Sequence, residues 1–151
     1  MISNKTRYGL QALFYLARNY NRGPVLISDL AKKEAIPQKF LEAILLDLKN
    51  HGLLKSKKGK GGGYALAKSS EQITMGQVMR LLEGPLAPVP CVSQTAYRKC
   101  DECRDEESCC LRIMMKDVRD AMANVLDKTT LADILKRAKT FPENEPMTYF
   151  I

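Results

Sequence analysis

The five cysteines of this 151-residue chain all lie between positions 91 and 110, and they are Cys91, Cys100, Cys103, Cys109 and Cys110. Where thiols stay reduced, such clustering indicates metal or redox chemistry, because thiolates are soft ligands for iron–sulfur clusters and for zinc. Only Cys100 and Cys103 have the CxxC spacing common in zinc sites, and the adjacent Cys109 and Cys110 are awkward partners for one ion. The segment therefore predicts a metal centre, with a thiol switch or a chemically idle loop as alternatives.

Charge and composition indicate what kind of protein carries these cysteines. The formal charge of +7 favours a polyanionic partner. No apolar stretch is long enough to cross a membrane, and the N-terminal residues lack the apolar region of a signal peptide. No histidine lies near the cysteines and no phosphate-binding loop is present, so we expect no enzyme activity. The chain is predicted to be cytoplasmic, with no membrane partner.

Residues 27–64 are predicted to form two helices and a basic hairpin. Ser28 is suited to cap the first helix, and Pro37 separates it from the second. The second helix has apolar residues at helical spacing and ends at Gly52, which tolerates the left-handed conformation of a C′ residue. A helix presented by a turn and followed by a basic hairpin is typical of winged helix-turn-helix proteins, which place that helix in the major groove of DNA.

The hairpin has a dense pattern of positive charge. Its lysines are Lys55, Lys57, Lys58 and Lys60, and they alternate with glycines that continue to position 63. Lysines that meet phosphates release counterions and so provide affinity for any DNA sequence, while glycines let the backbone come close. A flexible hairpin whose lysines serve solubility is the alternative. The position directly after a helix-turn-helix pattern favours contact with DNA.

The remaining pattern predicts a mainly α fold with a small β-hairpin wing. Helices are expected over residues 6 to about 19, over 73–82 with Thr74 as the cap, from 109 or 110 to 126, and over 131–138. The predicted organisation is a winged helix-turn-helix DNA-binding domain over residues 1–84 and a cysteine-rich sensor loop over 85–110. A long dimerisation helix and a short helix follow over 111–139, and residues 140–151 form a tail.

The long helix has an apolar stripe that needs a partner. Its members recur at three- and four-residue steps and are Leu111, Met114, Met115, Val118, Ala121, Met122 and Val125. The stripe either packs back onto its own domain or pairs with the same helix of a second chain. Self-pairing gives a dimer with two-fold symmetry, and pseudo-palindromic sites in DNA have the same symmetry. We therefore expect a homodimer.

The chain resembles the IscR/NsrR/CymR-type (Rrf-type) winged helix-turn-helix regulators along nearly its whole length. The matching segments are the cysteine loop, TRYGLQALFYLA, ISDLAKKEAIPQKFLEAILLDLKNHGLL, SKKGKGGGYALA, ITMGQVMRLLEG and VLDKTTLADIL. The GxGGGY wing is the most specific of these motifs. The resemblance implies a homodimeric transcription factor whose binding to DNA is controlled by an iron–sulfur cluster, [2Fe-2S] or [4Fe-4S], or by the thiol state of the loop.

The same resemblance implies roles for individual cysteines. Those that match the three cluster ligands of cluster-binding members are Cys91, Cys103 and Cys109. Some members add a histidine or an acidic residue as the fourth ligand, but Arg112 and Tyr8 stand at those positions here. Cys100 and Cys110 are therefore the remaining candidates. Other members bind no cluster and use thiol oxidation or protein partners. Zinc, a metal-free thiol regulator and, less readily, an iron–sulfur electron carrier are the alternatives.

For double-stranded DNA, the resemblance points to the start of the second helix of the motif and to the wing. The expected contacts are Arg7 and Ser28 at phosphates, Gln38, Lys39 and Phe40 in the major groove with Glu42 beside them, and Lys57, Lys58, Lys60, Gly61 and Tyr64 in the wing. Phe40 could instead pack in the core, and Glu42 could lie on a solvated helix face. Binding or loss of a cluster would shift the two recognition helices only by favouring one arrangement over the other.

Overall fold

The computed structural model describes residues 2–139 and has the predicted class, mainly α with one β-hairpin. The helices are α1 (Asn4–Arg18), α2 (Ile27–Lys33), α3 (Gln38–Asn50), α4 (Met75–Leu82), α5 (Cys110–Lys128) and α6 (Leu131–Lys139). Strands β1 (Leu54–Lys57) and β2 (Gly63–Leu66) lie between α3 and α4 and pair antiparallel, with Leu54 opposite Leu66. Short 3-10 turns cover Tyr20–Arg22, Ser70–Gln72 and Pro90–Val92. The predicted tail, residues 140–151, lies outside the described residues.

One apolar core joins α1, α2, α3 and the hairpin and extends to α4 and α6. Its fully buried leucines include Leu13, Leu30, Leu41, Leu45, Leu48 and Leu131. Each such side chain stabilises the fold by roughly 1.5–3 kcal/mol relative to leaving it in water. Because the apolar face of α3 is committed to this core, the rotation of that helix is fixed and its polar side chains face outward.

The start of α1 is fastened to the end of α4. The helix begins at Asn4, two residues earlier than predicted, because the Ser3 hydroxyl accepts a hydrogen bond of 3.1 Å from the Thr6 backbone N–H. Glu83, directly after α4, accepts hydrogen bonds from the buried Thr6 hydroxyl and from the Ser3 backbone N–H. These bonds hold the pKa of Glu83 below its ordinary value, the Thr6 bond contributing most.

The prediction that Ser28 caps α2 is wrong. The helix begins at Ile27, with Leu26 as its N-cap and without a side-chain cap. The cause lies just before the helix, where Val25 and Tyr64 exchange two backbone hydrogen bonds of 2.8 Å. This pairing with β2 holds the chain extended up to Leu26, so the helix begins two residues before the position expected from a Ser28 cap.

The other predicted helix ends agree closely with the structure. Gly52 follows α3 with φ +78°, the left-handed conformation expected after a helix. Thr74 and Gln77 form a capping box at the start of α4, with N–O distances of 3.2 and 3.3 Å. The structure extends α5 to Lys128 and α6 to Lys139, slightly beyond their predicted ends.

The C-terminal end of α5 is attached to α4. Arg80 donates two hydrogen bonds to the Asp127 carboxylate, of 2.5 and 2.9 Å, which raise the pKa of Arg80 and lower that of Asp127. Gly76, one turn earlier in α4, makes room for this pair, because a Cβ there would lie 1.8 Å from Asp127 Oδ1. The Met75 backbone N–H also donates to the Thr129 carbonyl oxygen at 2.8 Å. These contacts fix the direction in which the long helix leaves the winged-helix unit.

We expect Gly76→Ala to lower the free energy of unfolding by about 1–3 kcal/mol, the usual cost of forcing extra atoms into a packed site. The added methyl group would push the Asp127 carboxylate away from Arg80. Urea unfolding followed by circular dichroism measures the change. In an Asp127→Ala background the same substitution should cost much less, because the obstructing carboxylate is gone. An equal cost in both backgrounds would contradict this description of the α4–α5 contact.

Candidate nucleic-acid interface and cysteine loop

The first turn of α3 presents several predicted DNA contacts to solvent. Gln38, Lys39 and Glu42 are exposed, while Leu41 on the opposite side is fully buried. Phe40 is 63% exposed, so the alternative that it packs in the core is wrong. Amide and cationic side chains beside an apolar ring are groups that can contact base edges and the thymine methyl group. The start of α3 is therefore open to a partner.

Gln38 and Glu42 lie one helical turn apart and form a pair. Gln38 Nε2 donates a hydrogen bond of 3.2 Å to Glu42 Oε1. In the major groove an amide can pair with adenine, and a carboxylate can accept from cytosine N4. Glu42 is on a solvated face, as one alternative expected, and it is also adjacent to a predicted base-reading residue. Contact of either residue with DNA stays a prediction.

The hairpin places its lysines at an exposed tip. The residues that connect β1 to β2 include Lys58, Lys60 and Gly61, all of which are exposed. Lys57 ends β1 opposite Gly63 and is exposed as well. The structure therefore places four of the five predicted wing contacts, Lys57, Lys58, Lys60 and Gly61, together in solvent at the turn of the hairpin. Cations at such a tip can approach the phosphates of a duplex.

Two glycines of the wing are required by backbone contacts. A Cβ on Gly62 would lie 2.2 Å from the Lys57 carbonyl oxygen, and a Cβ on Gly63 would lie 2.1 Å from the Val25 carbonyl oxygen. Gly63 also has φ +138°, a conformation that residues with side chains rarely adopt. The glycines hold the wing against its own stem and against the segment before α2, which fixes the tip relative to the helix-turn-helix.

The remaining predicted DNA contacts differ in their surroundings. Arg7 on α1 and Ser28 on α2 are exposed, as contact with phosphates requires. Tyr64 is half-buried and packs against the core, and its backbone pairs with Val25. The structure gives Tyr64 a role in joining the wing to the core, and its predicted contact with DNA gains no support from this position.

Four of the five cysteines surround one cavity of about 500 Å3, and they are Cys91, Cys100, Cys103 and Cys109. Val89 and Pro90 line one part of the cavity, and Leu111 near the start of α5 lines another. Cys110 is the first residue of α5, is exposed, and does not belong to the lining. The structure thus brings the three predicted ligands together around one space, with Cys100 beside them.

The donor atoms fit an iron–sulfur centre by type, and they lie around one cavity. Thiolates around a shared cavity are the ligands that such clusters use. Within residues 2–139, however, no three histidine, cysteine or acidic side chains lie close enough together to hold one metal ion. The cysteines of a cluster bind different iron atoms, so their thiols need not converge on a single ion.

Charged groups around the cavity affect its thiols. Burial raises the pKa of the Cys103 thiol above its ordinary value; Lys99 opposes this shift, and Cys109 and Glu106 add to it. Arg112 also lines the cavity, and its buried Nε has no hydrogen-bond partner within the described residues. A guanidinium cannot ligate a metal. This chain therefore has a cation at the position where some of the regulators it resembles have a histidine ligand. Such a cation favours negative charge in the cavity.

Helix α5 has two faces with apolar side chains, and its own chain covers only one. The half-buried face consists of Arg112, Met115, Arg119, Met122, Ala123 and Leu126. The other face follows alternating steps of three and four residues, and every member is exposed: Leu111, Met114, Val118, Ala121 and Val125. The predicted stripe is therefore divided. Its two members Met115 and Met122 pack back onto their own chain, and the rest face outward.

Arg119 links α5 to the cysteine loop, a contact that the sequence analysis missed. Its Nη1 donates a hydrogen bond of 2.6 Å to the carbonyl oxygen of Val92, next to Cys91. Arg119 also forms an ion pair with Asp120. A charged residue in an amphipathic helix usually faces solvent, and only its spacing of seven residues from Arg112 indicates a shared inward face.

The fold, the basic wing and the open first turn of α3 define a winged helix-turn-helix transcriptional regulator. Residues 2–137 match the model of the Rrf2 family, described as an iron-dependent transcriptional regulator, and the chain belongs to this family. It is therefore a DNA-binding regulator of transcription and not an enzyme. No helix within residues 2–139 combines the length and apolar character needed to cross a bilayer.

Three relatives show how far the similarity extends. The regulator CymR of Bacillus subtilis is 35% identical over 150 residues, covering 99% of both chains. A solved structure of that protein, described as the global cysteine regulator, has a TM-score of 0.75 at 34% identity and covers 91% of this chain and 97% of its own. IscR of T. potens has a TM-score of 0.75 at 29% identity, covering 99% and 96%. An rrf2-like HTH-type regulator of Rhodobacter capsulatus is 38% identical over 138 residues, covering 89% and 92%. The resemblance found in the sequence is confirmed.

We expect Lys58→Ala to weaken binding to duplexes of any sequence and to lower the slope of log affinity against log salt by about one per chain, as loss of one phosphate contact does. Fluorescence anisotropy with a labelled mixed-sequence duplex, titrated at several salt concentrations, measures both quantities. Lys116→Ala is the matched control, because Lys116 is an exposed lysine on α5, outside the wing. A Lys58 variant with the affinity and slope of the control would remove its phosphate role.

Proposed function

We propose that two copies of this chain dimerise through α5 and bind duplex DNA with both copies of α3 and the wing, under control of the cysteine loop. The observation that carries the proposal is the exposed apolar face of α5. Val118 lies at its centre and is 40% exposed, and Leu111 and Val125 near its ends are 53% and 61% exposed. A continuous apolar face on a helix normally packs against a partner, because its burial is the main source of helix stability in proteins.

The spacing of this face favours a second copy of the same chain as the partner. Steps of three and four residues are those of the a and d positions in a coiled coil, where side chains of two helices interlock. In a two-fold dimer the same face serves both subunits, so one sequence provides both halves of the interface. The axis that relates the two α5 helices would also relate the two recognition helices, which matches a pseudo-palindromic operator.

We expect Val118→Glu to convert the dimer into a monomer, because pairing would bury a carboxylate without a compensating partner. Sedimentation velocity of the purified protein over a range of concentrations measures the change. Ile113→Glu is the matched control, since Ile113 is also an exposed apolar residue of α5 but lies off the heptad face. A dimer that survives Val118→Glu, or one that both substitutions weaken equally, would contradict this interface.

Polar contacts join the cysteine loop to the dimer helix and then to the DNA-binding unit. Val92, next to Cys91, accepts a hydrogen bond from Arg119 in the middle of α5. Near the C-terminal end of α5, Asp127 is bound by Arg80 of α4. A change in the loop would therefore act on α5 between its dimer face and its attachment to α4. The separation of the two recognition helices would change, provided that one arrangement binds the loop's cofactor or oxidised form better.

We infer that the loop thiols act through an iron–sulfur cluster, either [2Fe-2S] or [4Fe-4S], held by Cys91, Cys103 and Cys109. Cys100 or Cys110 would supply a fourth ligand. The shared cavity and the iron-dependent description of the family support this inference. Cluster-free control by thiol oxidation is the second candidate. The similarity to a global cysteine regulator favours it. A zinc site is the remaining alternative.

We expect Cys103→Ala to abolish the visible absorbance of anaerobically purified protein, because it removes one of three proposed cluster ligands. Iron and acid-labile sulfide, measured on the same samples, should fall with the absorbance. Adding Ala96→Cys to the Cys103→Ala variant restores the number of cysteines at an exposed position outside the cavity lining. This double variant should stay colourless. Unchanged absorbance and iron in Cys103→Ala would remove Cys103 as a ligand. A colourless, iron-free parent protein would favour the thiol mechanism.

A further inference from the structure

We propose that Cys100 and Cys103 are a redox-active pair that closes an intramolecular disulfide when the protein meets a low-molecular-weight disulfide. The observation is a tight turn. The backbone N–H of Cys103 donates a hydrogen bond of 3.1 Å to the carbonyl oxygen of Cys100, which makes residues 100–103 a hydrogen-bonded β-turn. Neither cysteine depends on a distant part of the chain for this arrangement.

The turn gives the pair the backbone separation that a disulfide requires. In a β-turn the first and fourth Cα atoms lie within about 7 Å of each other. Disulfides form at Cα separations of roughly 4.4–6.8 Å, so the bond needs little backbone movement. Both side chains also line the same cavity. The other cysteines are less suited: Cys91 belongs to a separate 3-10 turn, and Cys109 and Cys110 are neighbours at the start of α5.

Exposure assigns different roles to the two thiols. Cys100 is exposed, whereas Cys103 is only partly accessible. An incoming disulfide can therefore reach Cys100 first, and Cys103 is held behind it as the resolving thiol. Lys99 and Arg104 flank the pair in the sequence and line the same cavity, together with Asp101 and Glu102 of the turn.

The exchange consists of two displacement steps in which atoms and electrons balance. The Cys100 thiolate attacks a disulfide RSSR, forming a Cys100–SR mixed disulfide and releasing one RS⁻. The Cys103 thiolate then attacks Sγ of Cys100 and releases the second RS⁻. The protons of the two cysteine thiols pass through solvent to the two released thiolates. Two cysteine thiols are oxidised to one disulfide, and RSSR is reduced to two RSH.

The regulatory consequence rests on the proposed function. Cys103 is one of the proposed cluster ligands, and a sulfur in a disulfide cannot act as a thiolate ligand. Disulfide formation and cluster binding would therefore exclude each other, and the loop would report the ratio of small thiols to disulfides as well as iron–sulfur status. The disulfide chemistry itself requires only the turn and its two thiols.

The test uses the reduced full-length protein without metal and glutathione disulfide as the probe. After incubation, free thiols are blocked with iodoacetamide and the protein is digested with trypsin. Cleavage after Lys99 and Arg104 releases residues 100–104 with both cysteines, while Cys91 and the Cys109–Cys110 pair fall in two other peptides. We expect the 100–104 peptide to escape alkylation and to be lighter than its reduced form by the mass of two hydrogens.

Two variants make the result decisive. Cys103→Ser should stop the reaction at a glutathione adduct on Cys100, and Cys110→Ser should form the internal disulfide as the parent does. Alkylation of both thiols in the 100–104 peptide of the parent, or a cross-link to another cysteine peptide, would overturn the proposal. A disulfide that forms without altering DNA affinity would leave this chemistry standing and remove its role in the proposed control of DNA binding.

Discussion

The organisation of the molecule depends on the incomplete burial of one helix. Helix α5 is nineteen residues long, and none of its residues is fully buried by its own chain. Its inward face meets the cysteine loop and α4, while a second face with heptad spacing stays in water. Apolar area is driven out of water roughly in proportion to its extent, so an extended exposed face favours association. The exposed apolar face and the cysteine loop therefore lie on two sides of the same helix.

Two polar contacts orient α5 between the cysteine loop and the winged-helix unit. Arg119 binds a backbone carbonyl of the loop, and Asp127 binds Arg80 at the junction with the winged-helix unit. Hydrogen bonds and ion pairs are directional, so they add to the packing of α5 in fixing its orientation. A loop that changes conformation would therefore act on the angle and position of α5. The glycines of the wing provide the complementary rigidity, because Gly62 and Gly63 leave no space for side chains and hold the tip in place.

Much of the fold could be predicted from the sequence, because local patterns determine it. Helical spacing of apolar residues identified the main helices, and Thr74 and Gly52 were identified by the capping chemistry they perform. The N-cap of α2 was missed, since it depends on the pairing of Val25 with a strand far along the chain. Division of the α5 stripe into two faces was also missed. Its steps of three and four residues fit one broad face equally well, and only contacts with α4 and the loop separate the two.

The candidate site was predictable in its residue types and less so in its geometry. The wing lysines and the polar residues at the start of α3 are exposed, as the pattern predicted, because lysines stay in water and burial of the apolar stripe of α3 turns its other side to solvent. The sequence left open whether Phe40 is buried or exposed, because helical spacing alone does not show which edge of an apolar stripe is covered. The cysteines were known to cluster, but their separation around a cavity and the contact of Arg119 with the loop depend on long-range packing.

The number of chains bound to one duplex tests the central claim most directly. A short duplex carrying one site, selected from a random pool, would be titrated with the reduced protein at concentrations far above the dissociation constant, and the complex would be sized by sedimentation. If α5 pairs, we expect two chains per duplex at saturation and a protein that is already dimeric in the absence of DNA. Saturation at one chain per duplex, with a monomeric free protein, would contradict it.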